Sequence, residues 1–166
     1  MTPLHTERLT LRSFEPSDAP DVLAAMTDKD VARWIPLLPH PYGQAEAEAF
    51  VTLQNGPDGN ALAVMHDGRL VGCMTTGMEL GYWFSKRAWG YGFATEAARA
   101  VVARFFGQGH EEMPSGHMPD NPRSHRVLEK LGFADTETVV RYSDLLAAEV
   151  TVQRMVLTRE TWEAGA

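Results

Sequence analysis

The sequence predicts an α+β (mixed α/β) fold: a central, mostly antiparallel mixed sheet of about seven strands with helices on both faces. Three observations predict it. Strand-like and helix-like segments follow one another in the order β-α-α-β-β-β-α-β-α-β-β. Two tight-turn signals, Asp67-Gly68 and Thr76-Gly77, join three consecutive strand-like runs into a meander. The chain has 166 residues with 44% hydrophobic content, enough for one core and short of two, so a single domain over 1–166 is expected.

Arg8 to Ser13 alternates with period two and reads as the first strand. Pro16-Ser17-Asp18 supplies N-cap chemistry for a helix through Val22, Leu23 and Met26. After the loop PLLPHP, Gln44 to Gln54 reads as a second helix, stopped by Asn55-Gly56-Pro57. Ala61 to His66, Leu70 to Thr75 and Met78 to Phe84 are the meander. Ala94 to Phe106 is amphipathic, with Ala94, Ala97, Ala98, Val101, Val102 and Phe105 on one face. Glu112 to His117 sits where a fifth strand belongs, although Pro114 and Gly116 are poor strand residues. Asp120-Asn121-Pro122 then offers an N-cap followed by proline at the first helical position. Val127, Leu128 and Leu131 form that helix's buried face, and Gly132 closes it. Thr136 to Tyr142 and Glu149 to Leu157 read as a closing pair of strands.

The net charge of −7 argues against nucleic acid as a partner, since phosphate backbones need a basic footprint. It favours approach of a cationic acceptor weakly, and serves solubility equally well. No apolar run reaches membrane-span length, and MTPLHTERLTLR lacks a secretory h-region, so a cytoplasmic protein without membrane contact is expected. One cysteine, Cys73, leaves no partner for an internal disulfide. It stands mid-strand among apolar residues and reads as core, not as an acyl carrier. No metal is expected.

Two glycines, Gly90 and Gly92, stand where the fourth strand gives way to a helix. Glycines there leave backbone N–H groups uncovered, and with the free amides of the first helical turn they form an anion site, usually for phosphate. Lys86 and Arg87 upstream would add positive charge. A P-loop is excluded, because no Gly-Lys-Ser/Thr follows. The dinucleotide pattern fails as well, since Thr95 stands at the third glycine position. What fits is Arg87-x-x-Gly90-x-Gly92, after a strand and opening a helix.

The segment ELGYWFSKRAWGYGFATEA (79–97) closely resembles the acyl-CoA site of the GNAT superfamily of N-acetyltransferases. DNPRSHRVLEKLGF (120–133) resembles that family's asparagine-containing helix. TERLTLRSFEPSDAPDV and VQRMVLTRETW match the RimJ/RimL-like branch, which acetylates protein N-terminal amines. The resemblance covers nearly the whole chain in order and implies the GNAT fold. It further implies acetyl-CoA as co-substrate, direct transfer to a primary amine in a ternary complex, and a monomer or homodimer. By resemblance, pantetheine lies along Tyr82, Trp83 and Phe84 as an added strand would. The diphosphate meets the loop of Arg87, Ala88, Trp89, Gly90, Tyr91, Gly92, Phe93 and Ala94. Asn121 reaches the pantetheine, and Ser124 lies near the thioester sulfur. Arg123 and Arg126 could meet the 3′-phosphate or stay solvated.

Acetyl transfer needs a neutral amine and an outlet for charge on the departing thiolate. Neutralising an α-amine at pH 7 costs about 1 kcal/mol and a lysine about 4.6 kcal/mol, so an N-terminal acceptor needs only a modest base. Positioning could then supply most of the acceleration. Glu79 is the first candidate base, or a carboxylate that merely attracts the acceptor. His117 is the rival, or a turn histidine, and His110 a weaker candidate. Ser124 could donate to the thiolate or simply bond back to Asn121, and Tyr82 is another possible acid. Trp83 and Trp89 read as packing residues of the sheet and loop. The acceptor is expected to be a protein or peptide N-terminus. Alternatives are a small-molecule amine (polyamine, amino acid or antibiotic) or a non-catalytic acyl-CoA-binding module, which the irregular fifth strand would favour.

Overall fold

Two antiparallel sheets part along a single seam, and the sequence around that seam explains why they part. The computed structural model describes residues 2–165. The first sheet holds β1 (Leu4–His5), β2 (Thr10–Arg12), β3 (Ala61–His66), β4 (Arg69–Thr75) and β5 (Tyr82–Phe84), paired in that order. The second holds β6 (Glu112–His117), β7 (Ala134–Ser143) and β8 (Ala148–Thr158), with β8 in the middle. Among the described residues six α-helices accompany the sheets: α1 (Ala19–Thr27), α2 (Lys29–Ala32), α3 (Gln44–Asn55), α4 (Phe93–Gly107), α5 (Pro122–Leu131) and α6 (Arg159–Ala164).

The sheets touch through one parallel bridge, Leu80 to Ser115. There Leu80 donates its N–H to the Pro114 carbonyl (3.0 Å) and the Ser115 hydroxyl donates to the Leu80 carbonyl (2.8 Å). Beyond it no pairing joins β5 to β6 among the described residues. The fifth strand of the sequence reading is regular: all six residues of β6 pair with β8, from Glu112 with Thr158 to His117 with Gln153. Pro114 is tolerated because its polar backbone atoms face β5, where its carbonyl accepts from Leu80, so its missing N–H removes no bond to β8. Gly116 is required by crowding, since a Cβ would stand 3.0 Å from the Gln153 carbonyl and 3.1 Å from Val152.

The fourth strand is shorter than its sequence suggests. Thr75 explains this, because its hydroxyl donates to the Glu79 carbonyl (2.6 Å) and accepts from the Gly81 N–H (2.6 Å). These local bonds replace the ladder over residues 76–81. The first strand is likewise divided, into β1 and β2. The short helices α2 and α6 were not anticipated; Asp28 caps α2 through the Asp30 N–H (2.9 Å), and Thr158 caps α6 through the Thr161 N–H (3.2 Å).

Period-two alternation gives the first sheet two buried faces. Leu62 and Val64 of β3 join Val71 and Met74 of β4 in a core with Ala97, Ala98, Val101 and Phe105 of α4 and with Met113, Leu128 and Leu157. Ala61, Ala63, Leu70 and Cys73 face the other way, against Val22 and Met26 of α1, Val31 of α2 and Val51 of α3. A register shift between Val64 and Met65 lets Leu70 and Cys73 share that face. Cys73 is buried, and burial pushes its thiol up to about 12. Helices therefore cover both faces, and the seam stays open between the two sheets.

Candidate active site

The seam opens into a cavity of about 450 Å³, bounded by β5, the loop to α4, the start of α4, the end of β6 and one face of α5. Its floor follows from strand alternation. Leu80 turns its backbone polar groups to β6, so those of Tyr82 and Phe84 also face the seam, while Gly81 bonds back to Thr75. Gly116 faces the same gap from β6 by the same parity.

At one end lie the glycines. Gly90 (φ +84°) and Gly92 (φ +81°) are both in the left-handed region. A Cβ on Gly90 would meet nothing within 4 Å, and one on Gly92 only Arg8 Nη2 at 3.6 Å. Backbone conformation, not crowding, makes these positions glycine, and the space before them is open. Gly92 is the N-cap of α4 and supplies no side chain, while Phe93, Ala94 and Thr95 of the first turn line the cavity. Their amides are a ready anion site. Arg126 and Lys130 of α5 line the cavity too, and so does Arg123, whose guanidinium lies 4.5 Å from the Trp89 ring centroid.

The remaining loop residues divide. Ala88 is buried and Trp89 donates its indole N–H to the Phe84 carbonyl (2.8 Å), and both line the cavity. Arg87 does not: Nη2 donates to the Leu70 carbonyl (2.8 Å) and lies 3.4 Å from Asp21. Lys86 pairs with Asp30. Positive charge therefore reaches the cavity from α5 and not from the residues before the glycines. Tyr91 is 63% exposed and stacks on Phe93.

In the middle of the cavity, Tyr82 and Ser124 meet with 2.8 Å between hydroxyl oxygens, and Tyr82 also donates to the Ser124 carbonyl at 3.2 Å. Burial pushes the Tyr82 phenol up to about 12, outweighing the hydrogen bond from Ser124, so it stays protonated at neutral pH. Asn121 caps α5 by accepting the Ser124 N–H (3.2 Å). The Ser124 amide thus completes the cap, and its hydroxyl meets Tyr82 in the cavity.

His117 lines the cavity and is 8% exposed. Its Nδ1 lies 2.9 Å from the Met118 carbonyl, which can only accept, so Nδ1 carries the proton and Nε2 the lone pair. His125 Nδ1 lies 3.1 Å from that Nε2 and must be the donor. The lone pair left open in the pair is His125 Nε2. Asp135 brings a carboxylate oxygen within 4.8 Å of both imidazoles, a nitrogen-and-oxygen donor set of a kind that binds zinc or similar ions. Glu79 is absent from the cavity wall. Its carboxylate is 52% exposed and 2.6 Å from Arg154 Nη1, whose pKa this contact raises. His110 stacks on Phe105, away from the seam.

Sequence reasoning missed part of the wall. Val31 of α2 with Trp34 and Ile35 just after it also line the cavity. Their only sequence signal was apolar residues beside the loop PLLPHP. His125 was missed as well, although it lies four residues beyond Asn121 on the same helix.

The model of the acetyltransferase (GNAT) domain family matches residues 8–134. YkkB of Bacillus subtilis (strain 168) is 39% identical over 77 residues, a match spanning 43% of this chain and 42% of YkkB. The N-acetyltransferase YnaD of the same strain is 28% identical over 138 residues, 77% of this chain and 80% of YnaD. Among solved structures, a GNAT-family acetyltransferase from Bacillus anthracis superposes with a TM-score of 0.82 at 23% identity, over 96% of this chain and 99% of that one. Mycobacterium smegmatis RimJ in complex with CoA-disulfide gives 0.76 at 18% identity, over 96% of this chain and 87% of that one. The seam, the glycine loop and these matches agree, and the chain belongs to the GNAT family of acetyltransferases.

Proposed function

We propose that the chain moves an acetyl group from acetyl-CoA directly to a primary amine held beside it, and that the amine is the α-amino group of a protein or peptide N-terminus. The observation that carries the reading is the seam cavity itself. One opening joins an anion-binding helix start, an unpaired strand edge and a half-buried pair of hydroxyls. Acetyl-CoA has the matching parts: phosphates, an amide-bearing arm and a thioester.

The residues present fit that ligand. Open space stands before Gly90 and Gly92, and no side chain caps the α4 amides. The first-turn amides would hold the diphosphate, with Arg123, Arg126 and Lys130 supplying charge from α5. The backbone groups of Tyr82 that face the seam would pair with the pantetheine amides. Arg87 contributes by fixing the loop to the Leu70 carbonyl.

In the reaction the amine nitrogen forms a bond to the acetyl carbon, the carbon–sulfur bond breaks, the nitrogen loses a proton to water, and the departing thiolate takes one from water. A backbone N–H at the seam would polarise the thioester carbonyl. The Tyr82–Ser124 pair would stabilise the thiolate as a hydrogen-bond donor. With a phenol pKa of about 12, outright proton transfer from Tyr82 to a thiolate of ordinary pKa near 8.5 is uphill by about 5 kcal/mol. Ser124 therefore acts with Tyr82 by hydrogen bonding. The amine proton leaves through water toward the His117–His125 pair. Glu79 is held by Arg154 outside the cavity wall and takes no part in the transfer.

An α-amine suits this arrangement because its deprotonation costs only about 1 kcal/mol at pH 7. The reading as a mere binding module loses its one support, since β6 is fully paired. Measuring acetyl-CoA-dependent thiol release with N-terminal peptides, free amino acids, polyamines and aminoglycosides tests the proposal. Release with peptides is expected, and release confined to another class would replace the acceptor.

A further inference from the structure

A second cavity, of about 440 Å³, lies on the α1–α3 side of the first sheet. It shares two wall residues with the seam cavity, Ile35 and Trp83. The two spaces are therefore neighbours across those side chains, and Trp83 belongs to β5 beside the seam-facing Tyr82.

Its wall is almost wholly apolar, built from α1, α3 and the loop between α2 and α3. Met26, Leu38 and Phe50 are typical, and only Tyr42 and Glu46 can ionise. The Glu46 carboxylate already accepts the Gly43 N–H (2.8 Å) at the start of α3. At the mouth stand Leu37, 77% exposed, and Leu53, 55% exposed. Large apolar side chains left open around a concave apolar wall mark a binding site, because such a space gives water too few partners.

We infer that this cavity is the specificity pocket for the acceptor, and that it takes a large apolar group, aliphatic or aromatic, carried close to the amine. The inference rests on the acetyl-transfer reading and deepens it: the preferred N-terminus begins with a large hydrophobic residue. The wall shared with the seam at Ile35 and Trp83 decides the occupant. A first side chain placed beside Trp83 sits against the wall shared with the seam cavity, with its own α-amine two bonds from its Cβ. The exposed rim at Leu37 and Leu53 lets that group enter from solvent. A long acyl chain, by contrast, would have to thread through the seam first.

The test uses acetyl-CoA with glycinamide, alaninamide, leucinamide and phenylalaninamide, on the wild-type chain and on Ala49→Trp and Leu53→Asp. Ala49 lines the cavity from an exposed helix position, so tryptophan there fills the space without entering the core. The wild-type kcat/KM should rise about fourfold for each methylene buried. The leucinamide-to-glycinamide ratio should collapse toward one in both variants, while acetyl-CoA affinity, read by calorimetry, stays as in the wild type. A flat series would overturn the pocket, as would a gradient that both variants keep. So would a gradient that appears only when hexanoyl-CoA replaces acetyl-CoA, which would assign the cavity to the acyl chain.

Binding is read separately, from the Trp83 indole NMR signal on titration with phenylalaninamide in the presence of acetyl-CoA. A shift that Ala49→Trp abolishes, with no thiol release on any amine, would uphold the pocket and sink the acetyl-transfer reading. Absence of any shift would sink the pocket alone.

Discussion

The Tyr82 hydroxyl lies 2.8 Å from Ser124 Oγ, joining the last strand before the seam to the first turn of α5. These residues are 42 positions apart and meet because β5 and β6 diverge after Leu80 and α5 covers the gap. Hydrogen bonds to a charged group contribute about 1.5–3 kcal/mol. Tyr82→Phe and Ser124→Ala should each lower kcat about ten- to a hundredfold, with acetyl-CoA affinity little changed. The double variant should lose less than the product of the two, since the hydroxyls act as one unit. Steady-state kinetics on all four forms checks this.

Glu79 and His117 should separate kinetically. Glu79→Gln breaks the pair with Arg154 outside the cavity wall and should leave kcat unchanged. His117→Ala removes a cavity-lining imidazole together with the acceptor for His125 Nδ1, and should lower kcat. A fall in kcat of a hundredfold or more for Glu79→Gln would make Glu79 the base.

Alkaline pH should destabilise the fold in a defined window. Burial raises Cys73 from about 9 to about 12 and Tyr82 from about 10 to about 12. The unfolded chain therefore sheds these protons first as pH rises. The stability they contribute is intact below about pH 9 and is lost progressively toward pH 12. Each group adds a slope of about 1.4 kcal/mol per pH unit where only the unfolded form is ionised. Urea midpoints across pH 8–11 should fall, and less steeply in Cys73→Ala.

Gly72 faces Phe84 across β4 and β5, and a Cβ there would stand 2.6 Å from both the Trp83 carbonyl and the Phe84 ring. Gly72→Ala should cost about 1–3 kcal/mol by overpacking and should also weaken acetyl-CoA binding, because β5 must shift. Thermal unfolding and calorimetry on the same sample read both effects.

Much of this was legible in the sequence where one residue type has one physical use. Gly90 and Gly92 announced an uncovered backbone before a helix, Asn121-Pro122 announced the start of α5, and the Asp67-Gly68 hairpin was clear. What stayed hidden depends on partners distant in the chain. Arg87 looks like a phosphate ligand until Leu70 and Asp21 are seen beside it, and Glu79 looks like a free base until Arg154, 75 residues on, is seen against it. Pro114 argued against a strand by a sound rule, which fails here because its nitrogen faces the seam. The helices α2 and α6 are too short for a periodic signal.

The central claim is that the glycine loop and the seam form one site for acetyl-CoA and amine. Thiol release with a leucine-initiated peptide, on wild-type chain and Gly92→Asp, tests it most directly. Aspartate at φ +81° strains the turn and sets a negative charge where the phosphates belong. Release by the wild type and its loss in Gly92→Asp, together with lost acetyl-CoA binding, is the predicted result. Unchanged binding and turnover in Gly92→Asp would contradict the account.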